Sequence, residues 1–207
     1  MDKRFEILLG EKEDDEQKKQ SEEKEGGADA LSAKFLKTRQ IILSGEINKE
    51  LAEKIARQLL ILEADSDEPI RLFIDSPGGD ADAGYAIFDM IRFINAPVYT
   101  IGMGLIASAA SIVLLSAPKE RRYGLPNSRY LIHQPMSGMQ GVTTEIEIHA
   151  QELEKMRMKI NQMIAEETGK SVDDVAKDTD RDYWLDAEAA KGYGLISNIC
   201  TSRKDLA

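Results

Sequence analysis

The chain is poor in the residues that would make several function classes easy to propose. It has one cysteine, Cys200, in 207 residues, so it cannot form an intramolecular disulfide, and a cysteine-based metal site is excluded with it. Cys200 lies near the C-terminus with no histidine close in sequence, the pattern of a packed side chain rather than a catalytic thiol. Net basic charge is also absent. The formal charge is -10, whereas a nucleic-acid surface needs a basic footprint. Half of that charge sits in residues 1–30, with eleven acids against six bases. The rest of the chain is therefore only mildly acidic, and no cationic substrate follows from it. The apolar stretch Phe5 to Leu9 is short and interrupted by Glu6, which does not read as a secretory signal and leaves the cytoplasm as the expected compartment.

One long uncharged run exists, from Ala96 to Pro118, enough in length to span a bilayer as a helix. Its first part, Val98-Tyr99-Thr100-Ile101, is β-type and ends at Gly102 and Gly104, while Ala107 to Leu115 is helix-like. Strand, glycine turn and buried helix account for it without a membrane.

Residues 10–30 are highly charged and nearly free of large apolar groups, and they read as a disordered or loosely helical tail ending at Gly26-Gly27. Residues 31–207 are expected to form one domain. Within it strands and helices alternate. Gln40 to Leu43 forms a strand; Asn48 caps a helix with Leu51, Ile55, Leu59 and Leu62 on one face. Ile70 to Ile74 is a strand closed by Ser76-Pro77-Gly78-Gly79, and a helix follows with Ala83, Ile87, Ile91 and Ile94. Next come strand 98–101, helix 107–116, and short strands at Arg122–Leu125 and Tyr130–His133. A long charged helix spans about 144–168, with Thr144 and Glu147 as a capping box and Gly169 as its C-terminal glycine. Its stripe of Ile146, His149, Leu153, Met156, Ile160 and Met163 suits either the protein's own core or a seam between subunits. The alternation implies an α/β fold with crossover connections.

Two chemistries compete at the glycine turn. Gly102-x-Gly104-x-x-Ala107, after a strand and before a helix, fits a dinucleotide fingerprint, with Arg121 or Arg122 available to a 2′-phosphate. Against it, two strands precede the motif and the acidic residue expected after the next strand is missing. The other reading centres on Ser108, at a strand–turn–helix junction where backbone N–H groups and the helix dipole favour a developing oxyanion. Ser111, one turn later, reads as packing. His133, at the end of an apolar strand and followed by Gln134-Pro135, is the candidate base, while His149 lies in the stripe of the charged helix. Asp178, Asp180 and Asp182 alternate, and spacing alone does not choose the acid among them. Gly78-Gly79 offers a second closely approaching backbone. The order Ser…His…Asp and the lack of a G-x-S-x-G elbow disfavour an α/β-hydrolase.

The segments IDSPGG (74–79), GMGLIAS (102–108), RRYGLPNSRYLIHQP (121–135), GVTTEIEIHAQEL (141–153) and DTDRDYWLDAEAAKGYGLI (178–196) together resemble the proteolytic subunit of the ATP-dependent Clp protease, in that family's order and spacing, from about Arg39 to Ile199. The resemblance implies an α/β fold of the Clp-protease and crotonase-like type, with repeated ββα units and a protruding long helical handle at about 136–168. It implies a serine endopeptidase hydrolysing unfolded proteins, with Ser108 as nucleophile, His133 as base, Asp182 orienting it, and the backbone N–H groups of Gly78 and Ala109 as oxyanion hole. It also implies two stacked heptameric rings, Asp180 and Arg181 pairing between them, and an AAA+ unfoldase partner that uses ATP. The chain itself needs no metal or organic cofactor, and no membrane or nucleic-acid partner is implied.

The sequence departs from the family pattern in four places. Ile106 precedes Ala107 and Ala109-Ala110 follow Ser108 where relatives commonly have Ala and then Met-Gly. Ser137-Gly138 and Val142 replace a Gly-Gly and a Gln in the handle. Arg71 stands where relatives present an aromatic for unfoldase docking, while Phe73 is kept. The acidic tail replaces the usual axial-gate segment. These departures motivate an alternative, a divergent paralogue serving as a structural or regulatory ring partner.

Overall fold

The computed structural model describes residues 31–206 other than 33. The acidic segment 1–30 lies outside the described residues. The compact unit is Gln40–Ala207, and described residues 31–39 belong to a separate N-terminal unit.

Three parallel strands begin the sheet, with β1 at its edge: β1 (Gln40–Ser44), β2 (Ile70–Ser76) and β3 (Val98–Ala107). Two crossover helices connect them, α1 (Lys49–Asp65) and α2 (Ala81–Phe93). The Asn48 side chain accepts from the Leu51 N–H at 2.8 Å, and Asp80 caps α2 through the Ala83 N–H at 3.0 Å, each satisfying an N–H the helix leaves unpaired. α1 buries Ala52, Ile55, Leu59 and Leu62, so the face begins at Ala52 rather than at Leu51. α2 buries Ala83, Ile87 and Ile91 as their spacing predicts, together with Gly84 and Phe88. β2 buries Ile70, Leu72, Ile74 and Ser76, the two-residue period of a strand with one fully covered face.

β3 is longer than the four-residue strand expected. It runs through both glycines to Ala107, with a register shift against β2 after Ile74. Gly104 takes φ +63°, and a Cβ there would lie 2.6 Å from Asp75 Oδ1. The same Asp75 oxygen accepts the Leu105 N–H at 3.0 Å. The glycines thus make a kink inside a strand. The kink forks the sheet. Thr100–Gly102 pair with β4 (Arg122–Gly124), and Leu105–Ala107 pair with β5 (Arg129–Ile132), both in parallel. β4 leads on to β7 (Asn198–Ile199), and β5 pairs antiparallel with β6 (Tyr183–Asp186).

The uncharged run from Ala96 is therefore β3 plus the short α3 (Ala109–Leu114), which is buried at every residue. That division is the strand and buried helix expected of this run, and among the described residues no helix is long and apolar enough to cross a membrane.

The long helix α4 spans Thr143–Thr168, about 39 Å at 1.5 Å per residue. It starts earlier than the Thr144–Glu147 box predicts. Glu145 reaches back to the Val142 N–H at 3.3 Å instead, because Thr144 already lies within the first turn. At the other end Gly169 adopts φ +79° and returns its N–H to the Ala165 carbonyl at 2.9 Å, as expected. Only its C-terminal half is buried, through Ile160, Asn161, Met163, Ile164, Ala165 and Thr168. Ile146, Ile148 and Met158 stay exposed. α5 (Val172–Asp178) and α6 (Ala187–Tyr193) complete the unit.

Candidate active site

The fork in the sheet builds the site. β3 ends at Ala107, paired with Leu131 of β5. The next residue, Ser108, donates its N–H to the Leu131 carbonyl at 2.9 Å, which extends the pairing by one bond and holds Ser108 beside the end of β5. Its backbone is at φ +56°, ψ -122°, a strained conformation for a residue with a Cβ. Although no G-x-S-x-G motif is present, the serine thus sits on a sharp strand-to-helix turn. α3 begins immediately after it, so the Ala109 N–H has no intrahelical acceptor. Ser111 does more than pack: its hydroxyl donates to the Leu131 carbonyl at 3.1 Å and ties α3 to β5.

Gly78 fits against this turn. A Cβ at Gly78, whose φ is +92°, would lie 2.7 Å from Ser108 Cβ and 3.0 Å from the Ala109 nitrogen. The two backbones expected to face an oxyanion are therefore in contact at Ser108. The Gly78 N–H is donated at 3.0 Å to the Ser76 hydroxyl.

His133 follows the last residue of β5. The antiparallel β5–β6 register pairs Ile132 with Tyr183, so the next residues outward, His133 and Asp182, meet. His133 Nδ1 and Asp182 Oδ1 are 3.0 Å apart. The imidazole is largely covered, with 12% side-chain exposure, while the carboxylate is 62% exposed. Of the three alternating acids, Asp182 is the one that reaches the histidine. Asp178 accepts the Tyr193 hydroxyl at 2.9 Å, and burial with that bond pushes the Tyr193 phenol up. Asp180 lies 3.7 Å from Arg157 of α4. Arg181 donates to the Asp180 carbonyl at 3.2 Å.

Ser108, Ala109 and His133 line one cleft of about 910 Å³. Ile112, Leu153, Met156, Ile160 and Ile164 supply an apolar wall, suited to an uncharged side chain. Tyr85 lines the same cleft, its hydroxyl buried without a hydrogen-bond partner. Burial, then Asp89 and Asp82, push its phenol up to about 12, and the Lys159 ammonium lies 3.9 Å from its ring centre. His149 also lines the cleft, its Nε2 2.8 Å from the Ser137 hydroxyl.

The dinucleotide reading fails on this geometry. Its glycines lie within β3, and the Leu105 N–H that a pyrophosphate would need is held by Asp75. Arg122 does not face a ligand. Its side chain is buried at 1% exposure and paired with Glu167 of α4. Arg121 lies 5.8 Å from the Tyr99 ring centre. Cys200 is buried, and burial first and Asp205 second push its thiol up. Sequence reasoning missed Asp75 and Glu167, whose bonds reach residues 30 or more positions away, and Ser76, whose hydroxyl accepts the N–H of Gly78 two residues on.

The sheet, parallel except where β6 joins it, forks at a kinked strand, with Ser108 and His133 lining one cleft and Asp182 beside His133. The Clp protease family profile matches residues 22–203, and the chain belongs to the Clp protease family. It is 72% identical over 179 residues to the ATP-dependent Clp protease proteolytic subunit 2 of Treponema denticola, covering 86% of this chain and 90% of that one. It is 48% identical to proteolytic subunit 3 of Rhizobium meliloti, over 93% and 98% of the two chains. Among solved structures, a variant of ClpP1 from Listeria monocytogenes superposes with a TM-score of 0.81 at 47% identity, covering 86% of this chain and 99% of that one. Like the family's proteolytic subunits, the chain is a serine endopeptidase.

Proposed function

We propose that Ser108, His133 and Asp182 carry out peptide-bond hydrolysis in this subunit. The observation that carries the reading is the 3.0 Å His133–Asp182 contact at the cleft that also holds the strained Ser108. Asp182 holds the imidazole with Nδ1–H toward it and leaves Nε2 to take the Ser108 proton as Oγ attacks the carbonyl carbon. The oxyanion accepts from Ala109 N–H and from Gly78 N–H, replacing the Ser76 hydroxyl as the acceptor at Gly78. His133 then gives its proton to the leaving amine. Water, deprotonated by the same imidazole, hydrolyses the acyl-enzyme and restores Ser108. No metal or organic cofactor enters these steps.

The working particle is two stacked heptameric rings in the cytoplasm, with Asp180 and Arg181 at the contact between rings and the exposed half of α4 in the handle. An AAA+ unfoldase supplies unfolded chains and uses ATP. Its docking surface is altered at Arg71, whose guanidinium donates to the Leu206 carbonyl at 3.3 Å, beside Phe73. Leu206 is buried against Ile101, Tyr123 and Cys200, so the chain's own C-terminal turn fills that apolar surface. The complete His–Asp pair does not favour a purely structural or regulatory ring partner.

The test is labelling of the assembled protein with a fluorophosphonate probe. An adduct that disappears in Ser108→Ala supports the reading, and the absence of any adduct on the wild-type protein overturns it.

A further inference from the structure

The His133–Asp182 contact joins two segments that lie 49 residues apart, and Asp182 is well exposed. An exposed carboxylate has no packing of its own to hold it, so its position depends on the backbone on both sides, the β5–β6 pairing that follows it and the backbone before it. That backbone is tied down at one buried residue. Thr179 is fully buried at the C-terminal end of α5. Its carbonyl accepts the N–H of Gln134, the residue after His133, at 2.7 Å. The Gln134 side chain then donates to the Asp180 carbonyl, also at 2.7 Å. Two hydrogen bonds thus clamp residues 179 and 180 to the residue adjoining the histidine.

What holds Thr179 is a side-chain bond to the long helix. Its hydroxyl lies 2.8 Å from Oδ1 of Asn161 in α4 and 2.9 Å from the Val175 carbonyl of its own helix. Asn161 is itself buried, at 4% exposure among apolar residues of α4. A buried polar pair of this kind is costly unless both members are satisfied, and once satisfied it specifies one geometry.

We propose that Thr179 is a positioning residue of the hydrolytic site, held by Asn161, which sets Asp182 against His133 and makes the handle helix part of the catalytic support. The proposal rests on the triad reading above. A hydroxyl lost at Thr179 frees the 179–182 backbone by tenths of an ångström, and catalytic alignment is sensitive to shifts of that size. Substrate contacts in the cleft are untouched, so kcat falls and KM does not.

The experiment uses the full-length assembled protein and a short fluorogenic peptide, with fluorophosphonate labelling in parallel. Thr179→Val removes the hydroxyl with little change of shape, and Thr179→Ser restores it. Asn161→Leu removes the acceptor from the other side and serves if Thr179→Val does not fold. Expected are a kcat loss of about tenfold or more in Thr179→Val and Asn161→Leu, unchanged KM, intact assembly by native mass spectrometry, and recovery to within about threefold in Thr179→Ser. In an Asp182→Ala background the Thr179→Val effect should vanish, because the residue acts through that carboxylate. A Thr179→Val loss of the same size in that background would overturn the proposal, as would a loss in KM alone or no rescue by serine. Failure of the triad reading is separate: it appears as absent labelling of the wild-type protein.

Discussion

Replacing Glu167 by glutamine should destabilise the fold far more than a surface charge change does. The Glu167 carboxylate is shared between Arg122 and Arg92. Arg122 is 1% exposed; its Nε donates to the Ala117 carbonyl at 2.6 Å and its Nη1 to the Glu167 carbonyl at 2.9 Å. Burial pushes its guanidinium pKa down, and Glu167 opposes that. Glutamine keeps a neutral acceptor but removes the anion, leaving a buried cation beside a second arginine. Breaking a buried pair from one side costs about 3–5 kcal/mol, against about 5–15 kcal/mol for a whole domain. At about 2–4 °C per kcal/mol for a chain of this size, melting should fall by about 6–20 °C at fixed protein concentration. The double variant Arg122→Met, Glu167→Gln is the control. It removes the stranded charge, and Arg92, 46% exposed, can turn to water, so at least half the loss should return. Differential scanning fluorimetry on wild type, single and double variants makes the comparison. A single-variant drop below about 2 °C, or a double variant worse than the single, refutes the claim that this carboxylate compensates a desolvated cation.

Other consequences follow from single contacts. Gly78→Ala puts a Cβ within 2.7 Å of Ser108 Cβ and 2.6 Å of the Ala107 carbonyl, at φ +92°; fluorophosphonate labelling should slow by about 100-fold or more, and a wild-type rate would contradict the close approach. Asp182→Asn should lower kcat by about 10² to 10⁴-fold with little effect on KM, read with a fluorogenic peptide. Leu206→Ala should expose Cys200: loss of the buried leucine costs about 2 kcal/mol or more, so reaction with a disulfide reagent should quicken by about 30-fold. The turn over Cys200 should also respond to acid. Asp205 accepts the Thr201 and Ser202 N–H groups, both at 2.8 Å, and these bonds hold its carboxyl below the ordinary range. Its contribution is therefore complete above about pH 3.9 and is lost as pH falls through the lower folded value. Cys200 protection, followed with an acid-tolerant pyridyl disulfide, should stay flat in its Asp205-dependent part from pH 5 to 8 and drop only in acid.

The parts of this fold legible in sequence are those set by local spacing. Ile55, Leu59 and Leu62 repeat at three and four residues and are buried; Ala83, Ile87 and Ile91 behave alike. Asn48 and Gly169 act through bonds to residues within four positions, so their roles could be read directly. The misread positions depend on distant partners. Gly102 and Gly104 look like a turn in sequence because nothing nearby says that Asp75, 30 residues earlier, will take the Leu105 N–H and keep the strand going. Arg122 looks available to a phosphate because Glu167 is 45 residues away. β6 is only four residues long, too short for a two-residue period to stand out, and the same four residues bring Asp182 to His133.

The site shows the same division at smaller scale. Motif resemblance could nominate Ser108, but a serine in a strand–helix junction has no chemistry until its backbone turns sharply and a neighbour makes room. The first falls on Ser108, at φ +56°, and the second on Gly78, where a Cβ would meet that serine. Ser108 is strained and Gly78 is the space that accommodates it, so neither role is visible in its own segment. The acid is chosen by register in the same way. Asp180 and Asp182 share spacing and charge, and both side chains are more than half exposed; the pairing of Ile132 with Tyr183 is what turns Asp182 toward the imidazole and leaves Asp180 to Arg157. A one-residue slip of β5 against β6 would therefore leave every motif intact in sequence and still separate the base from its acid.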